Sequence, residues 1–217
     1  MLRGGDASER AACVEGADLA RRLADAELLA QAGLAHGAVF LMGGVDPVLV
    51  GTLEEALARL PDVDTPLRAR VMARLAAARQ PSPPAERQRD VDLGLAAIAM
   101  ARRVADRREL LDVLHAAAGT LYGRVDPRVR MPISREAEAL AEELGDTTRL
   151  LQARVRLAND HLELGDYAAY ARLADTYDEL AARVGPAAAP WRVPLMRSML
   201  AISRDDFVAS ERWQAEA

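Results

Sequence analysis

The sequence predicts an all-α fold: a solenoid of about ten or eleven antiparallel helices built on a repeat of ~40 residues. Three observations carry this. The composition is dominated by Ala, Leu and Arg, with 4% aromatic residues; these residues keep most of their side-chain freedom in a helix. No segment alternates apolar and polar residues over five positions, so no strand is expected. Finally, one pattern recurs. LARRLADAELLAQAGL at 19–34, MARRVADRRELLDVLHA at 100–116 and LAEELGDTTRLLQAR from Leu140 share a short corner before a Leu-Leu pair or its equivalent.

Taken in order, Asp46 before Pro47 starts a helix, with Leu49, Val50, Leu53, Leu57 and Leu60 on one stripe and Pro61-Asp62 as its stop. Thr65-Pro66 starts another, striped by Leu67, Val71 and Leu75. PSPP at 81–84 is a loop feeding the long helix ERQRDVDLGLAAIAMARRVAD. RVDPRVRMPIS, within an irregular connection at 122–134, reads as a loop with a short turn. Pro186, Pro190 and Pro194 stiffen a connection at 185–194, and a helix resumes near Trp191.

Spacing sets the repeat. Asp106 and Asp146 lie 40 residues apart, as do Leu144-Gly145 and Val184-Gly185, and Gly165-Asp166-Tyr167 and Asp205-Asp206-Phe207. Asp25 precedes Asp106 by 81, room for one divergent unit with its turn near Asp64. Gly165 suits the left-handed conformation that closes a helix, Asp166 caps the next, and Tyr167 is expected to pack the corner. Asp205 replaces the glycine in the last corner, which should be looser there. A single helix pair cannot bury its own stripe, so neighbouring pairs must stack.

LELGDYAAYARLA resembles the helix-to-helix corner of tetratricopeptide (TPR) repeats, although the unit here is longer than theirs. VDPVLVGTLEEALARLPDVDTPLRARVMARLA and LAEELGDTTRLLQARVRLANDHLELGD look like the helical regions of bacterial ATPase-linked transcription regulators of the LuxR or MalT type, and of adenylate-cyclase-associated ATPases. The resemblance implies a right-handed TPR-like superhelix, one repeat domain over 1–217, acting as a sensor or protein-docking arm. Met1 just before a repeat's first helix, and FVASERWQAEA as half a repeat, are the expected ends of a fragment of a longer regulator.

Composition restricts the chemistry. All 28 basic residues are arginine, so a P-loop lysine or a Schiff-base lysine is excluded from this chain. Cys13 stands alone and reads as a small buried group. The net charge of −5, with arginines and acids interleaved, makes a poor nucleic-acid surface, and a cytoplasmic protein that does not engage a membrane is expected.

Catalytic, cofactor and metal sites are therefore expected to be absent. RLANDHLELGD gathers Asn159, Asp160, His161 and Glu163. Arg156, Asn159 and Glu163 share one helix face and form the candidate groove contacts, while His161 points to the Leu150, Leu157 and Leu164 side. His115 reads as a hydrogen-bonded core histidine, and His36 as a partner for a helix end. Gly43-Gly44 reads as a flexible connection. Trp191, Phe207 and Trp213 complete the candidate contacts, with Met196 and Met199 near them. The expected function is a non-enzymatic module binding a protein segment or a small regulatory ligand. The alternatives are a helical enzyme drawing acids and histidines from several repeats, or a module that self-associates as a homodimer through its C-terminal helix.

Overall fold

The computed structural model describes residues 7–37, 44–185 and 191–217. Among these residues there are eleven α-helices and no strand. They are α1 (Ala7–Leu23), α2 (Ala26–His36), α3 (Pro47–Arg59), α4 (Pro66–Ala78), α5 (Arg87–Val104), α6 (Arg107–Leu121), α7 (Pro127–Glu143), α8 (Thr147–Glu163), α9 (Tyr167–Val184), α10 (Arg192–Ile202) and α11 (Phe207–Glu216). The PSPP loop leads into a 3₁₀ turn, Pro84–Glu86, before α5. Gly43, Pro186 and Pro190 lie outside the described residues; Pro194 falls in the first turn of α10, where a missing amide is harmless.

Eight of the described helices begin where an acceptor side chain caps them. Asp25, Asp46, Asp106, Asp126, Asp146, Asp166 and Asp206, together with Thr65, each accept a backbone N–H from the first turn of the following helix. From Asp106 to Asp166 these caps recur every 20 residues. The residue just before a cap is left-handed in five corners: Ala24 (φ 53°), Ala105 (φ 62°), Gly145 (φ 67°), Gly165 (φ 73°) and Asp205 (φ 58°). The capping residue also closes the helix behind it. Asp25 N–H donates to Ala20 O, Asp146 N–H to Ala141 O, Asp166 N–H to His161 O and Asp206 N–H to Ala201 O, at 2.9–3.0 Å. Each bond reaches five residues back, the signature of a Schellman closure. Tyr167, expected to pack its corner, is 43% exposed instead; the backbone bond and the Asp166 cap hold the turn.

The chain divides into two compact units, Met1–Arg124 and Val125–Ala217, and the boundary falls inside the connection that the sequence marks as irregular. In the first unit, Ala17, Ala20, Leu29, Leu49, Leu53 and Leu75 anchor a core shared by α1–α4. There α4 also packs on α5 and α6, and Gly94 on α5 faces Ala76 and Ala117 closely enough to seat three helices together. Cys13, read as buried, is only half buried. In the second unit, α8 packs between α7 and α9, while α10 contacts α9 and α11. Its core is built from Leu151, Ala158, Tyr170, Ala174, Tyr177 and neighbours. Alanine is the commonest buried apolar residue, which brings helix axes close at little side-chain entropy.

One expectation is corrected. Residues 124–134 are not a loop with a short turn, since α7 begins at Pro127 and runs through Pro132. Asp126 caps it and Pro127 sits in the first turn, where proline is preorganised. An interior proline costs about 3 kcal/mol, and what offsets it is tertiary: Arg130, Met131, Ile133, Ser134 and Ala137 are all buried.

The corners yield a paired test. Asp205→Gly removes a side chain from a left-handed position and should raise stability by roughly 0.5 kcal/mol, whereas Gly165→Ala should lower it by about 1 kcal/mol. Space does not confound the second change, because nothing lies within 4 Å of a Cβ added at Gly165. Urea midpoints measure both, and a neutral Gly165→Ala would contradict the corner geometry.

Candidate functional site

In the second unit, polar groups converge between α7 and α8. Arg130 and Asp160 are 4% and 1% exposed. Arg130 Nε donates to Asp160 Oδ1 at 2.5 Å, Nη1 donates to Val125 O at 2.8 Å, and Nη2 donates to Glu163. Ser134 Oγ donates to the other Asp160 oxygen at 3.1 Å. Burial opposes the charge on Arg130, but the Asp160 and Glu163 carboxylates outweigh it and raise its pKa. All three guanidinium nitrogens of Arg130 and both Asp160 oxygens have partners inside the protein, so the cluster clamps α7 to α8.

The first unit holds a parallel arrangement. Asp90 is fully buried and accepts from Ser82 Oγ at 2.5 Å and from Arg79 at 3.3 Å, while Arg79 also reaches Glu54 at 2.7 Å. Burial, together with the charge of Arg87, lowers the pKa of nearby Arg124.

Two histidines meet helix caps. His36 Nε2 lies 3.0 Å from Asp46 Oδ2, and the His36 side chain is 8% exposed. His36 thus engages the start of the next helix rather than only the end of its own. His161 Nδ1 lies 3.1 Å from Asp166 Oδ2, so it turns to the corner, and Asp160 is the side chain that enters the apolar side of α8. His115 is half buried on α6. Among the described residues no three His, Cys, Asp or Glu side chains are grouped to hold a metal ion, and no helix is long and apolar enough to cross a membrane.

The candidate groove contacts separate. Arg156 and Asn159 are half buried on α8, while Glu163 is drawn to Arg130. Trp213 is partly buried, with the Arg197 and Arg212 guanidinium carbons 5.0 and 5.2 Å from its ring centroid. Trp191 and Phe207 are 44% and 61% exposed. Met196 is buried in the core, whereas Met199 joins Trp191, Leu195 and Ile202 on an exposed apolar stripe of α10. Arg130 and Asp160 are the residues that sequence reasoning did not single out. A signal existed: Ala153, Leu157, Asp160 and Leu164 share one helical stripe, which puts a carboxylate among apolar side chains.

No protein-family model matches the chain, and no curated protein does. Among solved structures, BtubC (BKLC) from P. vanneervenii is similar, with a TM-score of 0.75 over 96% of this chain and 88% of that one, at 12% sequence identity. At that identity the likeness concerns the fold alone.

Two outcomes follow from the clamp and the caps. Arg130→Met leaves Asp160 buried without its cation and should cost about 3–5 kcal/mol, most of it recovered in the double variant Arg130→Met/Asp160→Leu; denaturant unfolding of the cycle measures both, and additive losses would contradict the pairing. At Asp46, burial opposes ionisation, yet the Leu49 amide, His36 and the Val48 amide prevail and hold the carboxyl below its ordinary value of 3.8. A depressed folded-state pKa stabilises above the unfolded pKa and is lost as pH falls through the folded one. The stability advantage of the wild type over Asp46→Asn should therefore be full at neutral pH and vanish in acid, as read by thermal unfolding across pH. An advantage that grows on acidification would refute it.

Proposed function

We propose that the chain is a right-handed, TPR-like α-solenoid that serves as a non-enzymatic protein-interaction or ligand-sensing module, belonging to a cytoplasmic bacterial signal-transducing regulator of the LuxR or MalT kind. The observation that carries the reading is the recurrence of one corner, a left-handed residue followed by a capping aspartate, at Ala105, Gly145 and again at Gly165 and Asp205. Repeating corners of this type generate similar hairpins, and stacked hairpins present long surfaces suited to extended or helical segments. The likeness to BtubC over nearly the whole chain supports a helical-repeat architecture. In this chain the buried Arg130–Asp160 pair finds its partners within the protein, which fits structural work better than turnover.

Selection from a displayed library of helical and extended peptides tests the module reading. Recovered binders, titrated by calorimetry, should bind at micromolar Kd and compete for a shared face. Failure to recover any peptide binding more tightly than about 1 mM would sink it.

A further inference from the structure

α10 has two apolar faces, and only one is covered. Val193 and Met196 are buried against Tyr170, Tyr177 and their neighbours. Trp191, Leu195, Met199 and Ile202 follow each other at steps of four, four and three residues and therefore share a face. They are 44%, 42%, 38% and 40% exposed.

One 40-residue step back, the same positions on α8 are Leu151, Val155, Asn159 and Leu162. Leu151 is 5% exposed, and Val155 and Leu162 pack on the same cluster as Tyr170, Ala174 and Tyr177 of α9. α11 stands in the register of α9, but Ser210 and Gln214 replace Tyr170 and Ala174. Ser210 hydrogen-bonds Ser198 at 2.9 Å, and Gln214 donates to both. A polar seam thus occupies the place where α9 delivers aromatic bulk, and the α10 stripe stays open.

Charge identifies what fits. From Val184 to Arg204 the sequence holds no acid, while Arg192, Arg197 and Arg204 flank the stripe. Arg197 is paired with Asp178, Arg192 lies 5.0 Å from the Trp191 ring centroid, and Arg204 is exposed. Basic amphipathic surfaces also suit anionic lipid, but three of the four equivalent positions on α8, Leu151, Val155 and Leu162, pack into a core built by helices. We propose that the Trp191–Leu195–Met199–Ile202 stripe docks an acidic amphipathic helix of a partner protein, laid along the face of α10 that α11 leaves open. This deepens the module reading and rests on it. The 11 residues of α10 offer a face of about 16 Å, enough for about three turns of a partner helix.

The probe is an 18-residue peptide with the α9 sequence carrying Arg172→Glu and Arg183→Glu. A control peptide keeps both arginines and carries Asp175→Arg, Asp178→Arg and Glu179→Arg. Titrated into the ¹⁵N-labelled 217-residue protein, the acidic peptide should shift the amides of Leu195, Met199 and Ile202 and saturate below about 1 mM, with the control at least about tenfold weaker. Leu195→Glu/Met199→Glu should weaken binding by at least about tenfold at an unchanged unfolding midpoint; Leu195→Gln/Met199→Gln gives the same reading should the charged pair disturb folding. Five results would overturn the proposal: no shift on α10, equal binding of both peptides, shifts confined to α8 (exchange with the chain's own α9), stripe-dependent binding to phosphatidylserine vesicles without peptide binding, or stripe-dependent dimerisation that excludes the peptide. Library-selected binders that map to another face would leave the module reading standing while this docking site fails.

Discussion

A single aspartate ends one helix and begins the next. At Asp25, Asp146, Asp166 and Asp206 the backbone N–H closes the helix behind, while the carboxylate accepts from the first turn of the helix ahead. Two orphan groups at opposite helix ends are satisfied by one residue, so the connection needs no further length. The left-handed residue before it reverses the chain, and successive helices must run antiparallel as near neighbours. Within each unit the helices joined by such corners, α1 with α2, α5 with α6, α7 with α8, α8 with α9 and α10 with α11, pack on one another.

Polar groups within these cores do a different task. Arg130 with Asp160 is a buried ion pair, and the half-buried Arg79 reaches the buried Asp90; serines tie both carboxylates further. Such pairs add little net stability relative to apolar packing, but a broken one is expensive. We read them as register pins: an alanine-rich interface is smooth and tolerates sliding, whereas a buried guanidinium finds its carboxylate in one alignment only. The Arg130 pin also explains how α7 tolerates Pro132.

Much of this was legible in the sequence because it is local chemistry. The caps at Asp46, Thr65, Asp146 and Asp166 and the left-handed Asp205 could be placed from residue type and spacing. What escaped was tertiary. α7 hides behind two prolines because its support is tertiary, the burial of Arg130, Met131, Ile133, Ser134 and Ala137 against residues distant in sequence such as Asp160. Asp160 passed as one polar residue among several, since a composition cluster does not show which member faces inward. Glu163 was placed with Arg156 and Asn159 by helical geometry, but the pull of Arg130 decides its role. The exposed α10 stripe is only partly legible: Trp191 stands out as a contact with Met199 near it, whereas nothing local singles out Leu195 and Ile202, whose exposure depends on the polar Ser210 and Gln214 of α11.

Structure and proposed function thus meet at one rule of construction: a stripe is either covered by the next helix or available to another. Native-state hydrogen exchange tests its foundation, the double use of the corner aspartates. The backbone amides of Asp25, Asp146, Asp166 and Asp206, though placed at solvent-facing corners, should be strongly protected and open together with the helices they join. Exchange at the rate of an unstructured peptide would contradict the shared corner and the helical register built on it.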